Sequence, residues 1–214
     1  MGKISDSLLG GTNGRTGRIV VANVYGNEIT RIRPKKMSKK PTVKQELIQS
    51  RMRQSATFME SYKGYACKHY GVRIGMKSCY NLAMTNLMAN FEIDYTAKTI
   101  TPKYPSLSFS KGSLLPPIPL ALTSTAPSAI EVNWQDNSGG TPERATDLAQ
   151  ILFAVEDEGN TMFLENTATR SQEIYTANLP ATVSGKEVHV WLAFRSDDQS
   201  NVSNSVYLGT ITVT

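Results

Sequence analysis

The sequence predicts an α+β N-terminal region, made of β-hairpins plus two helices, followed by an all-β sandwich. Apolar residues recur at helical spacing between residues 42 and 91, and short alternating segments separated by turn residues follow from residue 120. Between them, the proline-rich segment 116–119 is expected to be an extended linker, because proline fixes φ and removes a hydrogen-bond donor. We therefore expect a basic α+β assembly or anchoring region at 1–115, the linker at 116–119 and the sandwich at 120–214.

A β-hairpin is predicted near the start of the chain. Residues Arg18 to Tyr25 alternate in part and are rich in β-branched side chains, and alternation resumes from Glu28 to Arg33. Gly26-Asn27 between them is a two-residue turn signal. Residues Gly10 to Gly17 are expected to form a glycine-rich loop before the hairpin, and a second hairpin is predicted at residues 92–100.

Two helices are predicted between the hairpins. The pattern Thr42-x-x-Gln45 is typical of a capping box, and a second helix is expected from Met76 to Phe91. Cys67 and Cys79 lie in this helical part and are expected to be buried thiols. The apolar stripe of the first helix is formed by Val43, Leu47, Ile48, Met52, Ala56 and Met59.

The last 95 or so residues predict seven short strands, which is typical of an immunoglobulin-like sandwich. Trp134 and Trp191 are expected to face its core. The strands are expected at Leu120–Ser124, Ile130–Gln135, Gln150–Val155, Thr161–Leu164, Glu173–Ala177, Val188–Arg195 and Val206–Val213.

The charge is divided unevenly along the chain. Residues 1–118 contain 19 Lys and Arg against 6 Asp and Glu, a net +13, whereas residues 119–214 contain 4 against 12, a net −8. The segment 31–53 is the strongest functional hint, because it has nine cations and one acid, Glu46. It is interpreted as a solvated or subunit-facing surface, with contact to nucleic acid or to anionic lipid as the alternatives. The candidate surface consists of Arg31, Arg33, Lys35, Lys36, Lys39, Lys40, Lys44, Arg51 and Arg53.

The sequence contains no recognised catalytic motif, so we expect a protein that is not an enzyme and has no cofactor or metal. The Gly10–Gly17 segment departs from a P-loop, with Arg15 in place of the lysine and a strand after it. Two cysteines and two histidines provide no zinc-ligand spacing. A Ser/His/Asp triad would need His69 or His189, and His189 is expected at the sandwich surface or edge.

Several segments resemble known families. The segments Ala129–Trp134, Glu187–Phe194 and Asn204–Tyr207 are similar to a fibronectin type III domain, which implies an immunoglobulin/fibronectin III-like sandwich. Over nearly the whole chain the sequence resembles a family of uncharacterised bacterial proteins, classed as a domain of unknown function, and this resemblance implies no catalytic residues. Its Pro-Thr-x-x-Gln helix entry is locally similar to phage structural proteins. The family resemblance is carried by Met1–Ser5, the glycine-rich hairpin, Pro41–Leu47, Lys111–Leu114, Trp134–Gly139 and Asn204–Gly209.

Three functional hypotheses follow. The first is a structural protein of an oligomer or larger particle, such as a phage virion, that associates with itself or with other structural proteins and displays or bridges through the sandwich. The second is a nucleic-acid-binding protein that uses residues 31–53. The third is a carbohydrate- or surface-binding module that uses Phe163, Tyr175 and Tyr207. The sequence has no signal peptide and no transmembrane segment, so we expect synthesis in the cytoplasm and assembly into a particle.

Overall fold

The computed structural model describes the chain except for residues 1, 5–13, 25, 35–39, 125 and 157. The described residues form two compact units, 1–42 and 43–214. This division differs from the expected one, because residues 43–115 belong to the same unit as the sandwich and no division falls at the proline segment 116–119.

The first unit contains a four-stranded antiparallel sheet, in the order β1-β4-β3-β2. The predicted hairpin is confirmed by the pairing of β3 with β4, in which Val24 lies opposite Asn27. The predicted glycine-rich loop is wrong in part, because Gly14–Thr16 is a strand and Gly17 makes the left-handed turn into β3. Residues Gly10 to Asn13 of that loop lie outside the described residues. The strands are β1 (Gly2–Ile4), β2 (Gly14–Thr16), β3 (Ile19–Val24) and β4 (Asn27–Ile32).

The second unit begins with helices α1 (Val43–Met59), α2 (Lys63–His69) and α3 (Cys79–Asn90). The two predicted helices are confirmed as α1 and α3, and α2 is an additional helix that follows a 3-10 turn at Glu60–Tyr62. The hairpin predicted at 92–100 is present as β5 (Phe91–Asp94) and β6 (Thr99–Pro102).

The two free thiols are less buried than expected. The expectation of a buried Cys67 is wrong, because Cys67 is exposed near the end of α2. Cys79 is partly buried, and its thiol donates to the carbonyl of Gly71 at 3.3 Å. Ser78, the residue before Cys79, is the N-cap of α3, and its hydroxyl accepts a hydrogen bond from the backbone N–H of Asn81.

The sandwich has the seven predicted strands in two antiparallel sheets. One sheet has the order β10-β9-β12-β13 and the other has the order β11-β8-β7, which is the strand arrangement of an immunoglobulin/fibronectin III-like sandwich. A short helix, α4 (Pro142–Ala145), lies between β8 and β9. The strands are β7 (Ile118–Thr123), β8 (Ala129–Gln135), β9 (Leu148–Val155), β10 (Thr161–Leu164), β11 (Ile174–Asn178), β12 (Glu187–Arg195) and β13 (Val206–Thr212).

The two central strands of the larger sheet, β9 and β12, are buried on both faces. On one face Ile151 and Phe194 pack in the sandwich core with Trp134. On the other face Leu152 and Trp191 pack in a second cluster. That second cluster contains residues from helices α1, α2 and α3, so the helices cover the outer face of the sheet. Trp134 lies in the sandwich core as predicted. The prediction that Trp191 faces the same core is wrong, because Trp191 is buried in the cluster beneath the helices.

The segment after β6 lies along the sandwich. The backbone N–H of Leu114 donates to the carbonyl of Val202 at 3.0 Å. The Asn204 side chain accepts from the N–H of Gly112 at 3.1 Å, and the hydroxyl of Ser110 donates to the Ser203 carbonyl at 2.8 Å. This segment is therefore fixed to the β12–β13 loop, which explains why the proline segment that follows it is not a free linker.

The close approach at Gly112 gives the first prediction. A Cβ atom at Gly112 would lie 2.1 Å from the backbone oxygen of Val202, so Gly112→Ala must displace the backbone. We expect the free energy of unfolding, measured by urea denaturation, to fall by about 1–3 kcal/mol.

The matched control is Gly64→Ala in α2, where a Cβ meets no atom within 4 Å. Because alanine favours a helix over glycine, this variant should keep or raise stability by up to about 1 kcal/mol. Equal stabilities for the two variants would contradict the close approach.

Candidate functional site

The structure divides the predicted basic surface between the two compact units. Lys35, Lys36 and Lys39 lie outside the described residues. Of the other six, five are exposed and Arg51 is partly buried. Three of the six lie in the first unit: Arg31 is near the end of β4, Arg33 follows β4 and Lys40 precedes α1. The other three lie on α1 in the second unit, and they are Lys44, Arg51 and Arg53.

The first unit carries most of the positive charge. By sequence, residues 1–42 contain 9 Lys and Arg against 2 acids, a net +7. Among its described strands the acidic side chain is Glu28, at the start of β4. An exposed sheet with this excess of cations attracts anionic partners.

Both faces of the N-terminal sheet carry apolar side chains. Residues directly opposite each other on antiparallel strands share a face, so Ile19 lies beside Ile32 on one face, and Ala22 lies beside Ile29 on the other. Among residues 14–34 as described, Val21 is the one buried side chain. Ile32 is 80% exposed. The described part of this sheet therefore has almost no core of its own.

Helix α1 contributes cations from its first turns. The buried residues of the helix are Ser55, Phe58 and Met59, close to its C-terminal end. In the first turn, the Lys44 Nζ lies 5.9 Å from the centre of the Tyr95 ring, which is a cation–π contact. The cations on α1 therefore lie on turns that leave most side chains in water.

His189 is buried, and its predicted place at the sandwich surface is wrong. Its ring stacks on Tyr104 with 3.6 Å between the ring centres, and its Nδ1 lies 2.9 Å from the Tyr207 hydroxyl. Burial lowers the pKa of His189 to about 4, and the nearby Glu187 opposes this shift. His189 is therefore neutral at pH 7 and belongs to the packing beneath the helices. In an isolated sandwich the outer face of this sheet would meet water, but here the helices pack against it.

The aromatic residues suggested for carbohydrate binding are also used in packing. Phe163 and Tyr207 are half-buried and pack against the cluster beneath the helices. Tyr175 is half-buried against the sandwich core. These three rings therefore do not form an exposed aromatic platform.

The described residues show two further features of the chemistry available. No three His, Cys, Asp or Glu side chains among them come together as metal ligands would. In the same part of the chain, no helix is long and apolar enough to cross a membrane.

A buried arginine connects the proline segment to the sandwich. The Arg170 side chain donates to the Asp147 carboxylate at 2.8 Å and to the Leu115 carbonyl at 3.1 Å. It also donates to Asn137, whose amide donates to the Pro116 carbonyl at 2.9 Å. Burial raises the pKa of Asp147, and Arg170 acts against this shift by holding the charged form. Because Arg170 is fully buried, we assign these contacts a structural role: they hold the chain at Leu115 and Pro116 against the sandwich.

Comparison with known proteins identifies the family. The family described as "Family of unknown function (DUF6266)" matches residues 11–209. The chain belongs to this family. Two motifs that carried the resemblance to uncharacterised proteins, Lys111–Leu114 and Asn204–Gly209, contact each other in this DUF6266 member through Gly112 and Asn204.

Solved structures give a likeness to fibronectin type III domains. The fn3 domain of the human collagen alpha-1(XX) chain is 18% identical, covers 47% of this chain and 85% of its own, and has a TM-score of 0.36. The fn3 domain of human contactin 1 is 12% identical, covers 49% of this chain and 83% of its own, and has a TM-score of 0.33. No curated protein matches this DUF6266 chain.

The buried His189 gives the second prediction. An unfolded histidine has its ordinary pKa of 6.5, so the unfolded chain binds a proton before the folded chain does as the pH falls. Stability from this group is therefore present above pH 6.5 and is lost between 6.5 and about 4, by up to about 1.4 kcal/mol per pH unit.

The measurement is urea denaturation of the wild type and His189→Gln across this pH range. The carboxylates titrate in both proteins. The difference between the two slopes of unfolding free energy against pH therefore reports the contribution of His189. We expect the shallower slope in the variant, and parallel curves would show that His189 is not held neutral by burial.

Proposed function

We propose that this chain is a non-enzymatic structural protein that assembles into an oligomer or a larger particle, such as a phage virion. The N-terminal sheet is the anchoring surface, and the sandwich is displayed from the assembly or bridges to a neighbouring subunit. The observation that carries this proposal is the near absence of buried side chains in the sheet, where Val21 is the one buried residue among 14–34 as described.

The physical argument concerns the apolar side chains on both faces of this sheet. A small sheet gains its stability from burying at least one face against other structure. Ile19 and Ile32, side by side on one face, are 42% and 80% exposed. A subunit that covers this face removes both side chains from water, and burying a residue of this size contributes about 1.5–3 kcal/mol.

Charge favours an acidic partner for the same surface. The first unit has a net charge of +7 by sequence, and residues 119–214 have a net charge of −8. Residues 119–214 of a second copy, or an acidic structural protein, complement the charge of the sheet. Such heterologous contacts between copies close into rings or extend into filaments.

The third prediction tests this anchoring surface with Ile32→Ser. Because Ile32 is 80% exposed, the change should leave the melting temperature unaltered. We expect size-exclusion chromatography with light scattering to show assembly of the wild type that grows with concentration, and association at least about tenfold weaker in the variant.

The control is Leu120→Ser, which removes an apolar side chain that is 65% exposed on β7. It should assemble as the wild type does. A wild type that stays monomeric at high concentration and joins no particle, or an Ile32→Ser variant that assembles normally, would overturn the proposal.

Accessible cations favour nucleic-acid binding as a second candidate function. Arg31, Arg33, Lys40, Lys44 and Arg53 are all exposed. Cations on a surface bind phosphate groups and release counterions, so the affinity for nucleic acid falls steeply with salt.

The fourth prediction tests this candidate with the variant in which Lys35, Lys36, Lys39 and Lys40 are changed to alanine. If the segment contacts phosphates, each lost contact reduces the slope of log affinity against log salt by about 0.9 for duplex DNA. Fluorescence anisotropy with a labelled duplex measures this slope. The control changes the exposed Lys63 and Lys77 to alanine. An unchanged slope in the quadruple variant would eliminate this candidate.

A further inference from the structure

Two clefts with opposite charge lie on either side of the β12–β13 loop (residues 196–205) and share Ser200 and Asn201. One cleft, of about 350 Å³, has Lys68, His69 and Lys111 as its ionisable lining residues, and we call it the basic cleft. The other, of about 460 Å³, is the acidic cleft. Its ionisable lining residues are Glu143, Asp147, Asp197 and Asp198, with Arg144 as the one cation among them.

The accessible charges of the acidic cleft are three carboxylates and one cation, the exposed Arg144. Asp147 is already bound to Arg170, so Glu143, Asp197 and Asp198 remain for an outside partner, and all three are exposed. Asp198 accepts from the N–H of Ser200 at 3.0 Å, from its hydroxyl at 2.9 Å and from the Ser196 hydroxyl. These hydrogen bonds lower the pKa of Asp198 to about 2, so it is charged at neutral pH.

The loop between the clefts is held in one conformation by its own hydrogen bonds. The N–H of Ser196 donates to the Asn201 carbonyl at 3.0 Å, and the N–H of Asn201 donates to the Ser196 hydroxyl at 3.0 Å. Gln199 takes up the left-handed conformation that the turn requires. A loop that is ordered before binding loses little entropy when a partner docks.

The basic cleft is also built on fixed backbone. The N–H of Lys111 donates to the His69 carbonyl at 3.2 Å, and the N–H of Gly71 donates to the Lys111 carbonyl at 2.6 Å. Lys111 is therefore held next to the end of α2, where Lys68 lies. Both lysine side chains are exposed.

We infer that a second copy of this chain docks on the β12–β13 loop across a two-fold axis close to Ser200 and Asn201. The inference rests on the proposed assembly function and names one of its partners. A two-fold rotation about the loop exchanges its two sides, so the basic cleft of each copy meets the acidic cleft of the other. Opposite charges on either side of one loop thus form a self-complementary patch, as a two-fold interface requires.

The contact depends mainly on charge and so responds to salt. Lys68 and Lys111 of one copy face Glu143 and Asp197 of the other, and the axis repeats this pairing. Pairs near water are individually weak and are screened within about 8 Å at physiological ionic strength. The dimer is therefore expected at low salt and is lost towards about 1 M salt, where the screening length is about 3 Å.

The experiment uses two charge-reversal variants of the full chain and measures mass by sedimentation velocity. Lys68→Glu with Lys111→Glu makes the patch acidic on both sides, and Glu143→Lys with Asp197→Lys makes it basic. Asp198 is kept because it holds the loop. Each variant alone repels its own copies and is expected to dimerise at least about tenfold more weakly than the wild type. An equal mixture of the two should form heterodimers, since both contacts are then attractive.

The control reverses the exposed Lys63 and Lys77 to glutamate and should leave the dimer intact. Circular dichroism checks that every variant keeps the wild-type melting temperature. A wild-type dimer that both variants retain, or a mixture that stays monomeric, overturns the inference.

The same measurement separates this inference from the proposed function. Ile32→Ser should keep the two-fold dimer while it loses the larger assembly, because Ile32 lies in the first unit. The charge variants should show the reverse. A wild type that forms the two-fold dimer but no larger assembly counts against the N-terminal anchor alone. A wild type that forms the larger assembly, together with a variant mixture that forms no heterodimer, counts against the two-fold contact alone.

Discussion

The burial of β9 and β12 on both faces is the constraint on which the second unit depends. In an isolated sandwich, the side chains that β9 and β12 direct away from the core, including Leu152 and Trp191, would meet water. Here they pack under α1, α2 and α3. Each large apolar side chain removed from water contributes about 1.5–3 kcal/mol, and a seven-residue helix such as α2 has little stability of its own. The helices and the sheet therefore stabilise each other, and residues 43–115 fold with the sandwich.

The segment that joins helices and sandwich is part of this packing. Gly112 allows the backbone to pass against Val202, and Arg170 binds the carbonyl of Leu115 from inside the sandwich. Removing one partner of a buried ion pair such as Arg170 with Asp147 typically costs about 3–5 kcal/mol, because it leaves an uncompensated charge. These contacts hold the N-terminal end of the proline segment, and the pairing of Ile118 with Gln135 in the sheet holds its C-terminal end. The change from basic to acidic sequence occurs within one packed unit and does not mark a boundary between units.

Local sequence patterns predicted most helices and strands, but they did not predict how these elements pack over long range. The seven strands of the sandwich and the helices α1 and α3 follow from alternation, turn residues and helical spacing. The unit boundary was not predicted, because prolines indicate an extended backbone whether or not it is packed. A signal for the covered face was present in Ile151–Val155, which is apolar without alternation, as in strands buried on both sides. The same signal could have placed His189 in the interior.

The candidate surfaces were predictable in composition and not in arrangement. Counting residues identified the cations of segment 31–53, but the fold divides the described ones between two units. The clefts beside the β12–β13 loop combine residues more than 80 positions apart in the sequence, such as Lys68 and Asn201, and no local pattern connects them. Burial also changes the charge that a partner meets. Two of the four cations in residues 119–214, Arg170 and Arg195, are buried. The surface of the sandwich is therefore more negatively charged than a count of its residues indicates. With the helices over one sheet, the sandwich has its loops, its edges and the outer face of the other sheet for contacts with partners. Of its two remaining cations, Arg144 is exposed, and Lys186 is partly buried and paired with Glu158.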